Sequence, residues 1–212
     1  MIKNKRVKLF EIIKEHVINN KKEYFIVTLL FLLGIFLGVL FVNNIGETQK
    51  SDIINYLNNF IEKLKNVQNI NYMNLLKNSI LQNIILAIIL WFFGTTVIGL
   101  PVVFGLILYR GFCLGYTISS CIVIMGIPKG ILFILILLLL QNIIFIPAIL
   151  ALAVSGFKLY KSIIKDRNKE NIKIEVIRHT IFSTIMLLFL IVSSIIEIFI
   201  STSILKFFIK YF

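Results

Sequence analysis

From Tyr24 onward the chain is written in apolar runs of about twenty residues, the length a helix needs to cross a bilayer. YFIVTLLFLLGIFLGVLFV is the first of them. Hydrocarbon offers no partner for a free N–H or C=O, and a helix satisfies these groups within the run itself. The reading is therefore an all-α polytopic integral membrane protein with five transmembrane helices. Composition agrees: 58% of residues are hydrophobic and 15% charged, against roughly 45–50% and 25% in a soluble domain. The net charge of +12 does not imply nucleic acid. Its lysines and arginines gather beside the apolar runs, where they set topology and meet the lipid surface.

Residues 1–23 hold seven Lys/Arg and three Glu. With Val7, Phe10, Ile12, Ile13 and Val17 near helical spacing, they predict a basic amphipathic tail on the inner membrane surface. The first span, 24–43, contains Gly34 and Gly38 as GxxxG, which admits a second helix backbone at close range. Residues 44–78 form a polar loop. Within it SDIINYLNNFIEKLKN places Ile53, Ile54, Leu57, Phe60, Ile61 and Leu64 on one helical face, with Ser51 at the N-cap position and Asp52 in the first turn. This helix either lies on lipid or docks a partner protein. Residues 79–157 are a Gly/Pro-rich core with three spans, the fourth of the five running from Ile131 to Gly156. A basic loop over 158–178 and a last span over 180–205 follow, ending in the tail 206–212. Short Lys/Arg-rich segments stay in the cytosol. The N-terminus is thus expected inside, with residues 44–78, the turn GIPKG and the C-terminus outside.

Arg110 interrupts the stretch WFFGTTVIGLPVVFGLILYRGFCLGYT. Two geometries account for it. Gly99-Leu100-Pro101 could break the chain at the inner face, leaving Arg110 mid-membrane at roughly 2.5–3.5 kcal/mol unless paired or hydrated. Alternatively, Pro101 kinks a long helix and the chain turns at Tyr109-Arg110-Gly111, with the arginine solvated. The second obeys the positive-inside rule and is the expectation here. Glu197 is the one acid inside a span, in a stripe with Ser193 and Ser201. Counted at 1.5 Å per residue, it would stand roughly 10 Å from the depth of a buried Arg110. That favours a packing role, bonded to serines.

Motifs argue against catalysis. The two aspartates, Asp52 and Asp166, lie outside the spans, so they cannot form an intramembrane dyad. There is no HExxH, no GxSxG and no P-loop, and His16 and His179 fall in basic segments, His179 at a span entrance. Cys113 and Cys121 lack CxxC spacing and read as small packing residues. No metal site and no cofactor is expected.

The run from Ile89 to Thr117, then MGIPKGILF and QNIIFIPA, resembles stage II sporulation protein M of endospore-forming bacteria. The resemblance rests on Gly94, Thr96, Gly99, Pro101, Arg110, Gly111, Gly115 and Thr117, joined by Lys129, Gly130, Asn142 and Pro147 at matching intervals. The order of tail, spans and loops is also similar. It implies a non-catalytic scaffold in engulfment, at the mother-cell side of the septum, forming one complex with two wall hydrolases, a lytic transglycosylase and an amidase/endopeptidase. Ile53, Leu57, Phe60 and Leu64 would meet these partners. Oligomeric state is left open, including a homo-oligomer. From another class, Thr95, Thr96, Asn142 and Glu197 near the broken helices could belong to a transporter or channel subunit.

Overall fold

The computed structural model describes residues 9–66, 71–135, 140–165, 169–201 and 204. Among these, every regular element is helical. In chain order they are α1 (Leu9–Asn19), α2 (Lys21–Asn44), α3 (Glu47–Asn66), α4 (Tyr72–Gly94), α5 (Leu100–Met125), α6 (Ile127–Ile134), α7 (Leu140–Lys165) and α8 (Lys169–Ile196), the last continued by a π turn over Glu197–Ser201. Five are long and apolar enough to span a membrane, within α2, α4, α5, α7 and α8 with its π turn.

Contacts along the helices fix their directions. Gly34 and Gly38 of α2 rise past Leu108, Phe112 and Tyr116 of α5 in the same order, so these two run parallel. On α4, Ser79, Asn83 and Trp91 bond Glu197, Ser194 and Thr180 of α8 in reverse order, so this pair is antiparallel. Successive spans therefore alternate. The turn between α4 and α5 shares one end of the bundle with α1 and the α7–α8 connection. The connections from α2 to α4 and from α5 to α7 share the other.

α7 is the central post, with Ile149, Leu152, Ala153 and Val154 fully buried. Val27, Leu86, Leu90, Val103, Ile107 and Leu190 pack around it from the other four spans. The outer surface carries Phe25, Leu32, Phe36, Ile181 and Leu188, all exposed. On a soluble protein such a surface would aggregate; here it is the face for acyl chains.

The expected turn at Arg110 is not found. The chain reverses at residues 95–99, and α5 runs unbroken from Leu100 through Arg110 to Met125. Pro101 stands at the start of that helix, where its missing N–H would have no partner anyway. The Thr95 and Thr96 hydroxyls donate to Phe92 O and Phe93 O, at 2.7 and 3.1 Å, capping the end of α4. Gly99 lies so close to Phe93 O that a Cβ there would collide with it. The turn chemistry thus sits eleven to fifteen residues before the arginine.

Other boundaries also move. Of the span Ile131–Gly156, Ile131–Ile134 belong to α6 and Leu140–Gly156 to α7, while residues 136–139 lie outside the described residues. Gly126, at φ 77°, lets the chain fold back so that Gly130 meets Cys121 and Ile122 of α5. α7 continues past Phe157 into the basic loop, because Lys158 and Lys161 find Glu175 and Glu23 beside them. α8 likewise begins at Lys169 instead of residue 180. α3 starts at Glu47, so Ser51 is not its cap; its hydroxyl donates to Thr48 O at 2.6 Å. α1 does not lie free on the surface but leans on the bundle, with the His16 ring stacked on Phe182 at 4.0 Å. Val7 and residues 206–212 lie outside the described residues, as do the side chains of Phe10, Leu57, Phe60, Ile61 and Leu64.

Candidate functional site

Inside the bundle, a polar cavity of about 210 Å³ opens among α2, α4, α5, α7 and the π turn. Arg110, Asn142 and Glu197 all line it, with Ser79, Gln82, Asn83 and Thr117. Counted from the turn that joins α4 to α5, Arg110 stands about 15 Å along α5 and Ser79, the partner of Glu197, about 22 Å along α4, so the cavity spans the depth between the arginine and the acid.

Each polar group enters from a defined helix position. Arg110 lies roughly 15 Å along α5 at 1.5 Å per residue, about mid-membrane. Its guanidinium stands 5.5 Å from the centre of the Phe145 ring, a cation–π contact on the face of α7. Asn142, one turn before Phe145, brings its amide to the same wall. Ser79 Oγ donates to Glu197 Oε2 at 2.7 Å. This serine belongs to α4, outside the Ser193/Ser201 stripe read from the sequence, so the acid is also tied to a second helix. Asn83 is 5% exposed and donates through Nδ2 to Ser194 Oγ and Leu190 O, at 2.7 and 3.2 Å.

The glycines place these walls. Gly34 and Gly38 meet the backbone of α5 at Leu108 and Phe112, while Gly111 and Gly115 meet Phe31 O and Ile35 O of α2. Two GxxxG motifs face one another, and a Cβ at any of the four would overlap a carbonyl oxygen. At the other end, Gly94 stacks on Gly156 of α7; a Cβ on Gly94 would stand 3.1 Å from Gly156 Cα and 3.0 Å from His179 Nε2. His179 is 2% exposed and is a buried link between helices. Its Nε2 faces Trp91 O at 3.4 Å, which can only accept, so in the neutral ring Nδ1 accepts from Ser155 Oγ at 2.8 Å.

The remaining motif residues serve elsewhere. Thr96, Gly99 and Pro101 build the turn, and Gly130 seats α6 while Lys129 is exposed beside it. Pro147 sits inside α7 on its outer side, near Ile13 and Tyr24. Ile53 faces Tyr116 and Cys121 of α5 across a groove of about 500 Å³. Sequence reading missed Ser79, Gln82, Asn83, Ser155 and Gly156. The first three had a legible signal, since spacings of three and four put them on one face of α4.

Chemically, the cavity offers a cation, a carboxylate and several amides or hydroxyls within the membrane. It can hold a polar or charged group away from bulk water; among the described residues no cluster of three His, Cys, Asp or Glu side chains forms a metal site.

No curated protein and no solved structure matches the chain. A family model does, described as stage II sporulation protein M, over residues 27–202. That range takes in all five spans, the facing GxxxG pairs and the cavity, so the chain is a sporulation-family membrane protein and belongs to the stage II sporulation protein M family.

Proposed function

We propose that this protein is a non-catalytic scaffold of a sporulation engulfment complex, which anchors peptidoglycan hydrolases, a lytic transglycosylase and an amidase/endopeptidase, at the engulfing membrane on the mother-cell side. The observation that carries the reading is α3, a 20-residue amphipathic helix between the first two spans in the chain, none of whose described side chains belongs to the core of the bundle. An apolar helix face presented beside a membrane suits helix-in-groove recognition by a partner. The basic blocks place the α1 end in the cytosol by the positive-inside rule. α3 then stands outside, where the wall is.

The test is replacement of Ile53, Leu57, Phe60 and Leu64 together by serine. Membrane insertion is expected to persist while hydrolases no longer co-purify from sporulating cells in mild detergent. Undiminished co-purification would overturn the scaffold reading.

The intramembrane cavity favours a second reading, a subunit of a transporter or channel. Arg110 and Glu197 would then serve the passing group. Solute flux in reconstituted vesicles that disappears in Arg110→Gln or Glu197→Gln would support it, and the absence of flux would remove it.

A further inference from the structure

A second cavity, of about 350 Å³, lies at the opposite end of the bundle, where α1 rests on α7 and α8. It falls within the size range of small-molecule sites. Its polar floor is built in: Asn20, Ser155 and His179 line it and are 5%, 5% and 2% exposed. Above them stands an arrangement of charges. Glu175 accepts from Arg178 Nη1 at 2.7 Å and lies 3.5 Å from Lys158 Nζ. One carboxylate thus holds two cations, and this group keeps one net positive charge. Glu15 of α1, on the other side of the helix junction, adds one negative charge. The His16 ring adds none at neutral pH: burial, then Lys158 and His179, hold its pKa down to about 4.

The cavity therefore presents one positive and one negative centre on different elements, and is neutral as a whole. A purely anionic ligand would leave Glu15 facing it, and a simple cation would meet the Lys158–Arg178 pair. A zwitterion satisfies both. The remaining wall is apolar, formed by Leu159, Phe182 and Ile185. It runs out to Ile181, 59% exposed, which continues along α8 to Leu188, 57% exposed. A ligand with its head in this cavity could lay a chain on that stripe without leaving the lipid.

We propose that this cavity binds the phosphoethanolamine headgroup of a membrane phospholipid, with the phosphate at Lys158 and Arg178, the ammonium at Glu15 and an acyl chain along Ile181 and Leu188. Arginine and lysine suit a phosphodiester oxygen. The ammonium offers N–H donors to Glu15 that a choline head lacks. The site is independent of the scaffold reading, since it uses neither α3 nor the intramembrane cavity.

The experiment is native mass spectrometry of the full chain in detergent, titrated with phosphatidylethanolamine, phosphatidylcholine and phosphatidylglycerol of identical acyl chains. Phosphatidylethanolamine is expected to bind at least about five-fold more tightly than either other lipid, the scale of one net hydrogen bond. Glu15→Gln should narrow its margin over phosphatidylcholine, and Lys158→Gln with Arg178→Gln should weaken all three. Equal affinities in the unmodified chain, or tightest binding of phosphatidylglycerol, would overturn the proposal without reference to any variant. Free glycerophosphoethanolamine binding as tightly as the lipid would overturn the lipid as source.

Discussion

Single residues decide how closely these helices approach. Gly115 and Gly105 stand ten residues apart on α5, yet a Cβ on Gly115 would overlap Ile35 O, while one on Gly105 would meet nothing within 4 Å. Gly115→Leu is therefore expected to separate α2 from α5 and destabilise the protein by about 1–3 kcal/mol, the range for overpacking. Gly105→Leu should be near neutral. Thermal unfolding of both variants in the same detergent checks the contrast. Arg110 makes the opposite case, a charge kept in the membrane at roughly 2.5–3.5 kcal/mol on insertion scales. Arg110→Met is expected to leave the melting temperature unchanged or raised while spore formation falls. A variant that melts lower would show the arginine to be a packing residue.

At the scale of elements, α1 is joined to the bundle by a titratable contact. His16 Nδ1 is hydrogen-bonded to the Tyr24 hydroxyl at 3.1 Å, and its ring stacks on Phe182. Lys158 of α7 and His179 of α8 face it, with Glu175 and Arg178 of α8 and Glu15 of α1 around the same cavity. Its pKa is depressed from 6.5 to about 4. Undocked α1 takes up a proton near pH 6.5 while docked α1 does not. Docking is thus strongest above pH 6.5 and weakens as pH falls towards 4. A spin label at Lys14→Cys is expected to be immobile at pH 7.5 and mobile at pH 4.5. His16→Phe, which stacks but does not titrate, should remove the difference.

For the whole molecule, alternating spans put Lys129 and Lys165 at opposite ends of the bundle. The positive-inside rule assigns the Lys165 end to the cytosol. With Cys113 and Cys121 replaced by serine, Lys129→Cys should react with an impermeant maleimide on intact cells, and Lys165→Cys only after lysis. The reverse pattern would place α3 in the cytosol, away from any wall hydrolase.

The number of spans, their helical form, the amphipathic character of 51–66 and the residues Arg110, Asn142 and Glu197 could all be read along the chain. Lipid leaves a backbone no other way to satisfy its polar groups, so apolar length alone dictates helices. The GxxxG of α2 was equally legible as a close contact. Its partner was not, because every span carries small residues and only three-dimensional fit selects Gly111 and Gly115. Depth was illegible for a related reason. An apolar run does not say where in it the chain turns, and the two hydroxyl caps at Thr95 and Thr96 outweighed the attraction of Arg110 for water. That choice, together with the antiparallel docking of α4 on α8, brought Arg110, Asn142 and Glu197 around one cavity. Local sequence thus determined which segments are helices, and the tertiary structure decided which polar groups meet, since burying them is favourable only where several helices supply partners at once.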